Sequence, residues 1–179
     1  MAKLICVFCS ANDVSEKYVN DAKVFSELIV EHGYGLVYGA SDVGMMKVVA
    51  STVQKLGGRT IGITMEILKD TARTNLDELY IMPTLGERKA KMAEKSDVIV
   101  LLVGGIGSLD EVTELLELKK HKVHQKPIVV INSAGFYNGL KEQLLKMKQE
   151  GFINQDLEEL VYFAETPYKA MEYIDKNIA

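Results

Sequence analysis

Val98-Ile99-Val100-Leu101-Leu102-Val103-Gly104-Gly105-Ile106-Gly107-Ser108-Leu109-Asp110-Glu111 is the stretch on which the reading of this chain turns. Its apolar run shows no alternation, which fits a strand covered on both faces and hence a parallel sheet. Glycines at 104, 105 and 107 follow, and then a helical pattern begins. Glycines there let the chain turn sharply and bring backbone N–H groups close to a ligand. The helix behind them offers unpaired N–H donors and a partial positive charge. Together these parts make an anion site, typically for phosphate.

The same alternation extends in both directions. Residues 4–9, 35–38, 60–63, 78–82, 97–103, 127–131 and 161–163 read as strands. Residues 16–32 carry Val19, Ala22, Phe25, Leu28 and Ile29 at helical spacing, and Gly33 closes that helix. Further helices are expected over 43–56, 84–95, 108–122, 137–150 and 167–177, while 64–75 fits neither pattern. Strands alternating with helices predict an α/β architecture with right-handed crossovers and helices on both faces. The site of such a sheet is the crevice at the carboxyl ends of its strands.

A chain of 179 residues, 47% hydrophobic and 26% charged, is expected to form one domain over residues 1–179. That length leaves no room for a two-domain dehydrogenase or a typical pyridoxal-phosphate decarboxylase. Lys and Arg total 21 against 25 Asp and Glu, a formal charge of −4. This balance argues against nucleic acid as a partner. No signal-peptide pattern follows Met1-Ala2-Lys3-Leu4, and no apolar run reaches the roughly 18 residues of a membrane span. Cys6 and Cys9 are the two cysteines, which is no disulfide framework. A cytoplasmic protein without membrane association is expected.

Two well-known nucleotide motifs do not match. A dinucleotide fingerprint counted from Gly105 places Asp110 where close packing needs a third glycine. Gly39 and Gly44 have Walker A spacing, but Met45-Met46 follow instead of Lys and Ser or Thr. No cofactor is expected. Cys6 and Cys9, three apart on a strand, point to opposite faces, which disfavours a redox pair. His121 and His124 have no third ligand nearby, so no metal is expected. Lys119-Lys120-His121-Lys122 suits the C-terminus of a helix.

Glu111 has two readings. Ser108-x-x-Glu111 is a capping box, in which Ser108 caps the helix and Glu111 reaches back. The same carboxylate, held ionised in a first helical turn, is suited to face a developing oxocarbenium ion or to orient a water. Thr84-x-x-Glu87 is a second possible capping box, which puts Arg88 and Lys89 in a first turn. Two cations there oppose the helix dipole at about 0.3–1 kcal/mol each, so they are either solvated surface charges or partners of a nearby anion. Asn12, just after the first strand, is a turn residue or a ligand contact.

At these constellations the chain resembles the LOG family, the cytokinin riboside 5′-monophosphate phosphoribohydrolases, often mislabelled lysine decarboxylases. Gly104-Gly105-Ile106-Gly107-Ser108-Leu109-Asp110-Glu111 is similar to the family's Pro-Gly-Gly-x-Gly-Thr-x-x-Glu signature. Glu87-Arg88-Lys89-x-x-Met92 resembles its His-Glu-Arg-Lys-x-x-Met segment. The resemblance implies a three-layer Rossmann-like fold with a mainly parallel sheet, and a homodimer. It implies hydrolysis of the N-glycosidic bond of a nucleoside 5′-monophosphate, releasing base and ribose 5-phosphate. Arg88 and Glu111 match the family's catalytic pair, and Gly104, Gly105, Gly107 and Ser108 its phosphate loop. Lys89, Gly39, Gly44 and Asn12 fall in its substrate-binding segments.

The walls depart from the pattern. Val103 stands for Pro, Ser108 for Thr, Gly86 for His, and Ser10-Ala11-Asn12 for Gly-Ser-Ser. The family's Tyr-Gly-Gly-Gly-x-x-Gly-Leu-Met-Gly becomes Tyr38-Gly39-Ala40-Ser41-Asp42-Val43-Gly44-Met45-Met46-Lys47. Ala40 and Ser41 tolerate positive φ poorly, which predicts a reshaped or narrower wall. The alternative is a non-catalytic nucleotide or molybdenum-cofactor carrier of the same fold.

Overall fold

The computed structural model describes residues 2–178. Met1 and Ala179, the ends of the expected domain, lie outside the described residues. Seven strands form one sheet: β1 (Leu4–Phe8), β2 (Gly35–Tyr38), β3 (Thr60–Met65), β4 (Glu78–Met82), β5 (Val98–Leu101), β6 (Ile128–Ile131) and β7 (Tyr162–Ala164). Between and after them run α1 (Glu16–Glu31), α2 (Gly44–Lys55), α3 (Leu85–Lys95), α4 (Ile106–Lys120), α5 (Asn138–Gln149), the single turn α6 (Leu157–Leu160) and α7 (Pro167–Ile178). The unassigned stretch after β3 contains a 3-10 turn, Glu66–Thr71.

The strand order is β4-β3-β2-β1-β5-β6-β7, and every pairing is parallel. The expected "mainly" parallel sheet is therefore wholly parallel among the described residues. Alternation of side chains splits the core into two layers. Ile5 and Val7 pack with Phe25, Ile29, Val49, Val53, Met171 and Ile174 on the face covered by α1, α2 and α7. Cys6 and Phe8 pack with Met92, Val112, Leu115 and Leu144 on the face covered by α3, α4 and α5. Cys6 and Cys9 accordingly lie in opposite layers as free thiols.

The chain fills the sheet from β1 outward to β4, then returns to the other side of β1 with β5. That reversal opens a crevice between the loops leaving β1 and β5, the usual binding place in a doubly wound sheet. No helix among the described residues is long and apolar enough to cross a membrane.

Candidate active site

The crevice is a cleft of about 580 Å³ over the carboxyl ends of β5, β1, β2 and β3. Gly105, Gly107, Ser108, Glu111, Arg88, Gly39 and Asn12 line it. Gly104, Gly44 and Lys89, also expected at the site, stand behind the lining.

The loop expected to bind phosphate differs from its expected form in one respect. Helix α4 begins at Ile106 and its N-cap is Gly105, so Ser108 is the third helical residue and caps nothing. The backbone turns so sharply after β5 that the Gly105 carbonyl already accepts from the Leu109 N–H, at 3.1 Å. The capping-box reading of Ser108 and Glu111 is thereby overturned. The N–H groups of Ile106, Gly107 and Ser108 have no intrahelical acceptor and face the cleft end. A Cβ on Gly105 or Gly107 would meet nothing within 4 Å, so these two glycines leave open space rather than relieve a clash. Gly104 is different, because a Cβ there would overlap Ser108.

Tyr137, absent from the expected residues, holds this loop. Its buried hydroxyl donates to the Leu102 carbonyl (3.0 Å) and accepts from the Gly104 N–H (2.9 Å). In sequence it is only the aromatic that opens the helix expected over 137–150, with no motif to mark it. Ser10, also in the lining, stands out in the sequence only as a departure from the family pattern. Its Oγ accepts from the Asn12 N–H at 2.9 Å and shapes the turn after β1.

Thr84 caps α3, its Oγ1 accepting from the Glu87 N–H at 3.2 Å. Arg88 and Lys89 are buried, not solvated. Arg88 Nη1 donates to Glu111 Oε1 at 2.6 Å, and Nε donates to the Ile63 carbonyl at 2.9 Å. The anion near Lys89 is protein: its ammonium pairs with Asp110 at 2.9 Å and also with Glu114. Those carboxylates hold its proton more tightly, raising its pKa. Lys89 thus ties α3 to α4. Gly39 lets the arginine in, since a Cβ there would overlap Arg88 Nη2. Gly44, at φ 55°, lies so close under the Ala11 and Asn12 carbonyls that no side chain fits.

Glu111 is the sixth residue of α4, beyond the first turn, so the helix dipole does not hold it ionised. Burial pushes its pKa above the usual carboxylate range, and the Arg88 guanidinium opposes that push. This reverses the expected direction. The pair leaves a carboxylate beside a committed guanidinium at the centre of the cleft, suited to face positive charge and to accept a proton from water.

His121 pairs with Glu117, and His124 bonds the Leu115 carbonyl. Among the described residues no three His, Cys, Asp or Glu side chains gather as a metal site. A more apolar groove of about 330 Å³ between α4, α5 and α6 is lined by Leu116, Leu144, Phe152 and Leu160, among others.

A doubly wound parallel sheet whose cleft joins a glycine-turned helix N-terminus to a buried Arg–Glu pair is an α/β enzyme architecture suited to an anionic ligand. Similarity to known proteins narrows it. The family described as "Possible lysine decarboxylase" matches residues 46–174. A cytokinin riboside 5′-monophosphate phosphoribohydrolase of Arabidopsis thaliana is 34% identical over 154 residues, covering 84% of this chain and 68% of that protein. A probable enzyme of the same name from Oryza sativa subsp. japonica is 31% identical over 175 residues, 96% of this chain and 78% of its own. The chain belongs to the LOG family of phosphoribohydrolases.

Among solved structures, a molybdenum cofactor binding protein from Rippkaea orientalis superposes with a TM-score of 0.77 at 22% identity, covering 100% of this chain and 99% of that one. The Moco carrier protein of Chlamydomonas reinhardtii gives 0.74 at 22% identity, covering 98% and 97%. Both share the fold. The decarboxylase label finds no support in the cleft, whose described lining contains no lysine to hold pyridoxal phosphate as a Schiff base.

Proposed function

We propose that this protein hydrolyses the N-glycosidic bond of a nucleoside 5′-monophosphate, a cytokinin riboside monophosphate or an AMP-like nucleotide, giving free base and ribose 5-phosphate. The observation that carries the reading is the buried Arg88–Glu111 pair, 2.6 Å apart, beside an open helix N-terminus in one cleft. The first N–H groups of α4, with Ser108, hold the 5′-phosphate. Anchoring at that end converts binding energy into position at the reacting bond. As the bond to the base lengthens, positive charge grows on the ribose, and the Glu111 carboxylate stabilises it. Glu111 then takes a proton from the attacking water, whose hydroxyl bonds to the ribose, and releases it through solvent to the departing base. Arg88 keeps Glu111 ionised and oriented, and its Nη2, beside Gly39, is free to meet a ribose oxygen.

Residues 1–179 act as one domain, and a second copy completes the site. Val43, Leu68, Leu85 and Ile106 all line the cleft, yet are 51%, 45%, 44% and 87% exposed. Apolar side chains around a polar floor suit burial by a second copy. The two free thiols fit a reducing, cytoplasmic compartment.

The test is release of free base from AMP, GMP, CMP and isopentenyl-AMP by the pure protein. Release from at least one is expected. No release from any at high enzyme concentration overturns the reading, and binding without turnover would favour a carrier instead. Sedimentation is expected to give a dimer.

A further inference from the structure

One cluster of charged groups lies beside the cleft but outside the catalytic machinery. The turn after β2, where two glycines of the family pattern are replaced, holds Ala40 at φ 62°. L residues avoid that left-handed region unless their surroundings impose it. The surroundings here come from the segment after β3. Arg73 N–H donates to the Ala40 carbonyl at 2.8 Å, and Asp42 N–H to the Thr71 carbonyl at 3.2 Å. Ser41 and Ala72 form an antiparallel bridge between those two bonds.

The Arg73 side chain locks the same junction. Nε and Nη2 both donate to Asp42 Oδ1, at 3.0 and 2.7 Å, Nη2 reaches Ser51 Oγ at 2.6 Å, and Nη1 donates to Gln54. One guanidinium thereby joins the β2 turn, helix α2 and the 66–73 segment. That segment and turn supply Leu68, Thr71 and Ser41 to the cleft, beside Met65 at the end of β3. The β3 end lies three strand spacings from the β5 end, roughly 14 Å. A nucleotide whose phosphate sits at α4 therefore presents its base to this wall.

We propose that Arg73 is a positioning residue that, through Asp42, holds the left-handed Ala40 turn and so sets the wall that receives the base. This role rests on the glycosidase reading for its direction of substrate binding. Arg73 touches no reacting atom. Its loss frees the turn to relax away from φ 62°, and the wall moves with it. A glycine at position 40 adopts that φ unaided, so the clasp is needed only because alanine occupies the position.

The experiment compares wild type with Arg73→Ala, Asp42→Asn, Ala40→Gly and the double variant Arg73→Ala/Ala40→Gly, using AMP or whichever monophosphate wild type cleaves best. For Arg73→Ala, KM is expected to rise about tenfold with kcat changed less than about threefold. The inhibition constant of ribose 5-phosphate, which lacks the base, stays at its wild-type value. In the Ala40→Gly background the same Arg73→Ala change is expected to move KM less than about threefold. An unchanged KM, an equal weakening of ribose 5-phosphate, or an undiminished effect beside glycine overturns the proposal. If Arg73→Ala does not fold, Asp42→Asn, which keeps the shape, carries the same comparison. If wild type cleaves no nucleotide, the glycosidase reading fails by itself. The clasp is then judged by calorimetric Kd for AMP and ribose 5-phosphate in the same variants, with the same outcomes.

Discussion

Arg88 Nη1 stands 2.6 Å from Glu111 Oε1, joining the start of α3 to the second turn of α4 inside the protein, with side chains 9% and 11% exposed. A buried ion pair is poor evidence of stability, because desolvation offsets most of the attraction. Its presence in a ligand cleft is better explained by chemistry. In the proposed reaction the arginine serves to keep a desolvated carboxylate charged where the substrate would develop positive charge.

Glu111→Gln keeps the shape and an oxygen for Arg88, but removes the charge. Turnover is expected to fall by about a thousandfold or more. Far-UV circular dichroism is expected to remain near wild type. Normal turnover in this variant would remove Glu111 from its assigned role.

Arg88→Ala leaves the carboxylate buried without its counter-charge, which costs about 3–5 kcal/mol where no water enters and less in an open cleft. Base release is expected to be lost. The α3–α4 contact through Lys89, Asp110 and Glu114 remains, so the sedimentation coefficient is expected to match wild type. Loss of assembly together with activity would show that Arg88 has a structural role at the subunit contact.

The pH dependence follows from burial. Glu111 binds its proton more tightly in the folded protein than the ordinary value of 4.5. Between that value and the raised one, this group alone adds stability as pH falls, because the native state holds more protons there. Activity runs the other way, since the working form is ionised. The acid limb of kcat, measured at saturating substrate, is therefore expected above pH 4.5. Reading kcat avoids confusion with the free substrate's phosphate, which titrates near about pH 6. A limb at or below 4.5 would show that burial does not raise this carboxyl in the working complex.

Gly107→Ala separates stability from function. A Cβ at this helical position meets nothing, and the backbone needs no positive φ. Alanine in a helix is favoured over glycine by up to about 1 kcal/mol. The melting temperature is thus expected to rise by a few degrees, while the new methyl crowds the phosphate and kcat/KM drops about tenfold or more. Unchanged activity would place the phosphate elsewhere.

Tyr137→Phe keeps the ring and deletes the hydroxyl that accepts from Gly104 and donates to Leu102. Leaving a buried N–H unpaired costs about 1–3 kcal/mol, read by urea unfolding. The loosened loop is expected to raise KM for the nucleotide and the inhibition constant of inorganic phosphate in parallel. A stability loss with both constants unchanged would leave Tyr137 a purely structural residue.

Much of the fold could be read along the chain. The limits of β2 and β4 agree with the pattern, since Gly35 and Pro83 punctuate them, and no other strand edge moves by more than two residues. The turn of helix at Leu157–Leu160 is too short for any period to register. The start of α4 lies two residues earlier than Ser108 suggests, because glycine's low helix propensity hides a turn that the strand end imposes. At position 40 the sequence departs from the glycine pattern, yet the backbone keeps φ at 62°. The wall is held by a clasp whose partners, Asp42 and Arg73, are 31 residues apart.

The sequence by itself determined the parallel sheet, the glycine turn at its switch point and the candidacy of Arg88 and Glu111. Those properties are written in neighbouring residues, as continuous apolar runs, glycine spacing and short motifs. Only the tertiary structure decided that Lys89 serves Asp110 and Glu114 and not the cleft, that Tyr137 holds Gly104 across 33 residues, and that burial raises Glu111. The reason is physical. Ion pairing and desolvation depend on which groups the whole fold brings together and removes from water, and no local stretch of chain specifies that.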